Sequence, residues 1–139
     1  MKTHKTDIEI HWGDCDPAVI VFYPNYFKWF DVSTTKLFDS VGLNLAELFK
    51  DDHMVGIPIL DAGAKFTRPS RFQDVITVES GIERWGRSSF RIKHTITNKG
   101  HVCVEGHEVR AWVVVDPDHP NGIKAEPVPE EVKARFGED

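Results

Sequence analysis

"PNYFKWFDVSTTKLFDSVG", Pro24 to Gly42, changes the period of the chain from that of a strand to that of a helix. Phe27, Phe30, Thr34, Leu37, Phe38 and Val41 share one side of a 3.6-residue turn, and Lys28, Asp31, Thr35, Lys36 and Asp39 share the other. Pro24 suits a first helical turn, where its missing N–H is not needed, and Gly42 suits the left-handed residue that closes a helix. The spacing predicts a long amphipathic helix over Pro24 to Val41, with one or two further turns between Asn44 and Lys50.

Upstream, "DIEIHW" alternates polar with apolar residues and ends at Gly13, which reads as a strand and a turn. Asp14, Cys15 and Asp16 therefore stand at a strand exit, directly before the apolar run Ala18 to Tyr23. Downstream, "GIPILDAGAKF", "DVITVESGIERW", "SSFRIKHTITN" and "HVCVEGHEVRAWVVVD" read as strands separated by the turn-prone "RPSRFQ", "WGRS" and "NKG". Phe90, Ile92, His94 and Ile96 alternate with Arg91, Lys93, Thr95 and Thr97, the pattern of an antiparallel sheet with one covered face. The proline-rich tail closes with "PEEVKARF", a candidate short helix. Strand, long helix, then several strands is an α+β order, one helix lying on an antiparallel sheet.

With 139 residues the chain fits one domain, 1–139, which buries roughly two-thirds of its unfolded surface without disulfide staples. A formal charge of −5 gives no global attraction to nucleic acid or to an anionic membrane, so an anionic ligand must be held by a local basic patch. The N-terminal "MKTHKTDIEI" lacks the apolar run of a secretory signal, and Ala18 to Tyr23 is too short to span a bilayer. The expected setting is the cytoplasm, with Cys15 and Cys103 reduced, since they show neither CxxC spacing nor a disulfide framework.

On "GDCDPAVIVFYPNYFKWFD", "VGLNL", "VGIPIL", "KFTRPSRFQDVITVE" and "ERWGRSSF", in that order, the chain resembles the hot-dog-fold acyl-CoA thioesterases of the 4-hydroxybenzoyl-CoA thioesterase family. The first segment is the specific one. The resemblance implies a hot-dog fold, in which a curved antiparallel sheet wraps a long central helix. It further implies subunits joined through their sheets as a homodimer, or a homotetramer built from dimers, with active sites at the subunit interface. The implied reaction is hydrolysis of an acyl-CoA, an aromatic, hydroxybenzoyl-like one by the same resemblance, to free acid and coenzyme A, without cofactor or metal. The acyl group and the choice between coenzyme A and acyl carrier protein stay open.

A thioester carbonyl needs a nucleophile, or a base that raises one, and donors for the oxygen that becomes negative. Asp16 matches the family's catalytic carboxylate; it either attacks the carbonyl or deprotonates a water. The resemblance assigns the donor to the Tyr23 N–H, at a helix start where backbone donors are unpaired and the dipole is positive. Phe22 and Pro24 flank it as substrate contacts. The plain alternative for Asp16-Pro17 is a turn, and Asp14 is read as a loop-shaping acid. Cys15 with His11 four residues earlier lacks a third orienting group and reads as packing. His11, Asp14, Cys15 and Asp16 lack zinc-ligand spacing. His94 reads as a hydrogen-bonded interior residue.

Asp61, inside an apolar strand, either faces the substrate or bonds locally. The coenzyme's phosphates call for cations. Arg84, Arg87, Arg91 and Lys93 are candidates, with Arg68 and Arg71 in "FTRPSRF"; a solvated strand face is the alternative for each. Arg87 falls in the turn where the family binds the nucleotide, beside Ser88 and Ser89, yet Gly86 and Ser88 stand where positive charge is expected. Val19 stands where the family has glycine, and a β-branched residue resists glycine's backbone angles, so the loop or acyl pocket is expected to differ. Two other functions fit the same fold. An enoyl-thioester hydratase would need Asn before Pro17 and His in place of Val19, and a non-catalytic acyl-thioester-binding protein would not need Asp16.

Overall fold

A computed structural model describes residues 1–50 and 53–137. The long helix, α1, runs Pro24–Ser40, with Pro24 in its first turn and Gly42 at φ 81 just beyond its end. A one-turn helix, α2 (Leu45–Leu48), follows, its start capped by the Asn44 side chain, which accepts the Glu47 N–H at 3.0 Å. Strands β1 (Thr3–Glu9), β3 (Ile59–Phe66), β4 (Val75–Trp85), β5 (Ser89–Asn98) and β6 (His101–Ala111) form one five-stranded sheet in the order β1-β4-β5-β6-β3. Every neighbouring pair in it is antiparallel. Three short strands, β2 (Met54–Gly56), β7 (Val113–Val115) and β8 (Ile123–Ala125), make a second sheet. The expected short terminal helix is α3, Glu130–Arg135; β8, three exposed residues in the proline-rich tail, carried no periodic signal.

The helix lies across the sheet as its period requires. Phe30, Thr34, Leu37 and Phe38 are buried as expected, and Tyr26, Trp29 and Ser33 widen the stripe because the curved sheet covers more than one helical face. From the sheet, Phe90, Ile92, His94 and Ile96 meet it, all buried. Phe30 stacks on the His94 ring with centroids 4.6 Å apart, and Gly106 on β6 lies so close beneath that any side chain there would collide with the Phe30 ring. α3 closes the far end, its following Phe136 packing edge-on against Phe38 at 5.0 Å.

One edge of the main sheet is unusual. β3 is paired with β6 on one side only, and Ile59, Leu60 and Phe66 on it are exposed. No helix among the described residues is long and apolar enough to cross a membrane.

Candidate active site

The chain between β1 and α1 is a set of linked turns. Trp12–Asp14 make a turn of 3-10 helix. The Asp14 carboxylate accepts the His11 N–H at 2.8 Å, and its carbonyl accepts the Phe22 N–H at 2.9 Å and the Asn25 side-chain amide at 2.8 Å. Asp14 thus ties the loop to the first turn of α1, the loop-shaping role expected of it.

Asp16 opens a tight hairpin. Cys15 and Val21 pair across it, the Asp16 N–H donates to the Ile20 carbonyl at 2.9 Å, and the Val19 N–H donates to the Asp16 carbonyl at 2.8 Å. This is a three-residue loop closed by one residue in the left-handed region. That residue is Val19, at φ 64. Valine here takes glycine's angle instead of reshaping the loop, and the turn stores strain on the order of 1–2 kcal/mol. The turn reading of Asp16 and the catalytic one are compatible: Oδ1 accepts the Ala18 N–H at 2.8 Å, which aims the side chain, while no group among the described residues binds Oδ2.

Tyr23 precedes Pro24 at the helix start, and among the described residues nothing accepts its N–H. Phe22 and Tyr23 are exposed and meet edge-on at 5.7 Å. Phe66, from the end of β3, joins them, with its ring 6.3 Å from Tyr23 and 5.4 Å from Tyr26. Tyr23, Tyr26 and Phe66, with Ile20, Val21 and Pro69, wall a cavity of about 320 Å³. Phe66 was not foreseen; its only sequence signal is an aromatic at a strand end.

Cys15 is no rival nucleophile. Its thiol points to the His11 carbonyl at 3.8 Å and not to the ring, and desolvation with the charges of Asp14 and Asp16 raises its pKa. Among the described residues no three His, Cys, Asp or Glu groups cluster as a metal site.

One chain places Asp16 in the hairpin, and Phe22, Tyr23 and Pro24 together at the start of α1. The hairpin sits where β4 begins, with Val21 N–H donating to the Ser70 carbonyl at 2.9 Å. Arg84, Arg87, Ser88 and Ser89 surround the turn after β4, and 11 residues of strand separate the two ends by roughly 33 Å. Asp61, on β3, has a largely exposed side chain that accepts from His107 Nε2 at 2.8 Å. Arg91 is paired with Glu83 at 3.4 Å.

A second polar cluster lies beneath α1. His94 is buried and hydrogen-bonded as expected, with Nδ1 2.6 Å from Ser80 and Nε2 3.0 Å from Glu108. Glu108 also accepts from Thr34, and Arg110 donates to it at 2.8 Å, to the Ile57 carbonyl at 3.0 Å and to Asp31 at 2.9 Å. Desolvation would raise the Glu108 pKa, but His94, Arg110 and Thr34 outweigh it and bring it down to about 2. Glu108 and Arg110 went unread in the sequence. Their signal was two charges in the same alternation phase as buried Val104, on the face of β6 that meets the helix.

The model of a family described as the thioesterase-like superfamily matches residues 10–136. The 4-hydroxybenzoyl-CoA thioesterase of Pseudomonas sp. (strain CBS-3) is 32% identical over 121 residues, 83% of this chain and 86% of that protein. The crystal structure of that enzyme superposes with a TM-score of 0.88 at 29% identity, covering 97% of this chain and 99% of the other. A gentisyl-coenzyme A thioesterase superposes with a TM-score of 0.82 at 30% identity, covering 97% and 100%. These neighbours carry the hot-dog fold expected from the sequence.

Proposed function

The chain belongs to the thioesterase-like superfamily, and on that premise we propose that it hydrolyses an aryl-CoA thioester to the free acid and coenzyme A. Both structural neighbours described above are named for aryl-CoA thioesters, hydroxybenzoyl in one and gentisyl in the other. The observation that carries the reading is the pairing of Asp16, with one carboxylate oxygen unpartnered, and the unpartnered Tyr23 N–H at the positive end of a 17-residue helix. The thioester oxygen accepts from the Tyr23 N–H, which is positioned for the negative charge of the tetrahedral intermediate. Asp16 either attacks the carbonyl carbon, expelling the coenzyme thiolate and leaving a mixed anhydride for water to cleave, or removes a proton from the attacking water. A burst of free coenzyme stoichiometric with enzyme belongs to the first route alone when anhydride cleavage is the slower step.

A second copy contributes to the site. Pairing two β3 edges around a two-fold axis sets the Phe66 end of one strand beside the Ile59 end of the other, covering Ile59, Leu60 and Asp61. The partner's Arg84, Arg87, Ser88 and Ser89 then fall at the same end of the assembly as Asp16. Unpaired Cys15 and Cys103 suit a reducing cytoplasm. The test is thiol release from 4-hydroxybenzoyl-CoA and gentisyl-CoA against short- and long-chain alkyl-CoA. Preference for the aryl thioesters is expected; release from none of them would overturn the assignment.

A further inference from the structure

The loop that follows β3 does more than join strands. It carries Arg68 and Arg71, and it is hydrogen-bonded to the Asp16 hairpin, because Ile20 pairs with Arg71 across an antiparallel bridge. Asp16 pairs with Ile20 in turn, so Arg71 stands two strand spacings from Asp16, about 10 Å. Arg68 walls both the aromatic cavity at Tyr23 and a neighbouring pocket of about 250 Å³. Arg71, Lys99 and His101 line that second pocket as well.

The pocket is unbalanced in charge. Asp74 is its one carboxylate, and it is already committed, accepting the Arg71 N–H at 2.9 Å and the Asn98 amide at 3.0 Å with Lys99 at 3.5 Å. No carboxylate among the described residues pairs with either guanidinium. Lys99 also holds φ 51 before Gly100 in the two-residue turn from β5 to β6, where Asn, Asp or Gly would sit at lower cost. In a chain of net charge −5, Arg68 and Arg71 without carboxylate partners, beside the Lys99–Asp74 pair, leave a local excess of positive charge.

We propose that this pocket is a further subsite for the phosphate-bearing end of the coenzyme, acting with the partner's Arg84–Ser89 turn, the pantetheine arm running from Tyr23 past Phe66 and Arg68. It compensates for the β4–β5 turn, where Gly86 and Ser88 stand in place of cations. Arginine forks at Arg68 and Arg71 grip phosphate oxygens two at a time, and Lys99 adds a point charge.

The proposal rests on the thioesterase reading, and its test separates the two. KM and kcat are measured for 4-hydroxybenzoyl-CoA and for 4-hydroxybenzoyl-pantetheine, which lacks phosphate, with Arg68→Ala/Arg71→Ala and Arg84→Ala/Arg87→Ala, each checked by thermal melting. The first pair is expected to raise KM for the coenzyme thioester at least about tenfold, with kcat within about twofold and a clearly smaller rise in the pantetheine KM. An unchanged KM, or a loss carried wholly by the second pair, overturns the proposal. Should the wild type turn over neither thioester, calorimetric Kd for coenzyme A decides. Tenfold weaker binding by Arg68→Ala/Arg71→Ala supports the subsite, and equal or absent binding by both proteins rejects it.

Discussion

At the scale of single residues, the hairpin carries the proposed chemistry. Asp16 and Tyr23 were singled out by the family motif, since Asp16-Pro17 alone reads equally as a turn. Val19 was legible only as an anomaly, since sequence shows which residue resists a left-handed angle but not whether the loop forces it there. It does, at φ 64. Val19→Gly is therefore expected to stabilise the protein by about 0.5–1 kcal/mol, the strain relieved less the chain entropy that glycine adds. Denaturant midpoints measure it, and a loss of stability would refute the strained turn. Cys15, with its thiol pKa raised, is expected to react slowly with iodoacetamide at pH 7, and Cys15→Ser to retain turnover.

At the scale of elements, α1 is held to the sheet by apolar packing and by one buried charge network. The Phe30 stripe was readable from its period, whereas Glu108 and Arg110 were not, because a charge in a strand reads as solvent-facing until its partners on another element are known. Arg110→Met is expected to cost about 3–5 kcal/mol, since Glu108 would be left as a buried carboxylate short of its counter-charge. The same carboxylate sets an acid limb. Its folded pKa, about 2, lies below the unfolded value of 4.5, so its contribution is fully present above pH 4.5 and is lost as pH falls toward 2. The shift corresponds to about 3 kcal/mol, and a urea midpoint that stays flat between pH 4.5 and 2 would contradict it.

At the scale of the whole molecule, one chain holds the proposed site residues in two separate places. Its hairpin and the Arg84–Ser89 turn lie at opposite ends of β4, and sequence gave no access to that separation, because strand length and turn position become distance only in three dimensions. The exposed β3 edge resolves it if two copies pair. Leu60→Asp is expected to yield a folded monomer by light scattering with aryl-CoA turnover reduced at least about a hundredfold. A fully active monomer would place the whole site in one chain. The central claim, that Asp16 performs the chemistry, is tested most directly with Asp16→Asn on 4-hydroxybenzoyl-CoA, measuring kcat by thiol release and Kd by calorimetry on the same preparation. The account predicts kcat lowered at least about 1,000-fold with Kd within about threefold of wild type. Wild-type turnover by Asp16→Asn would contradict it.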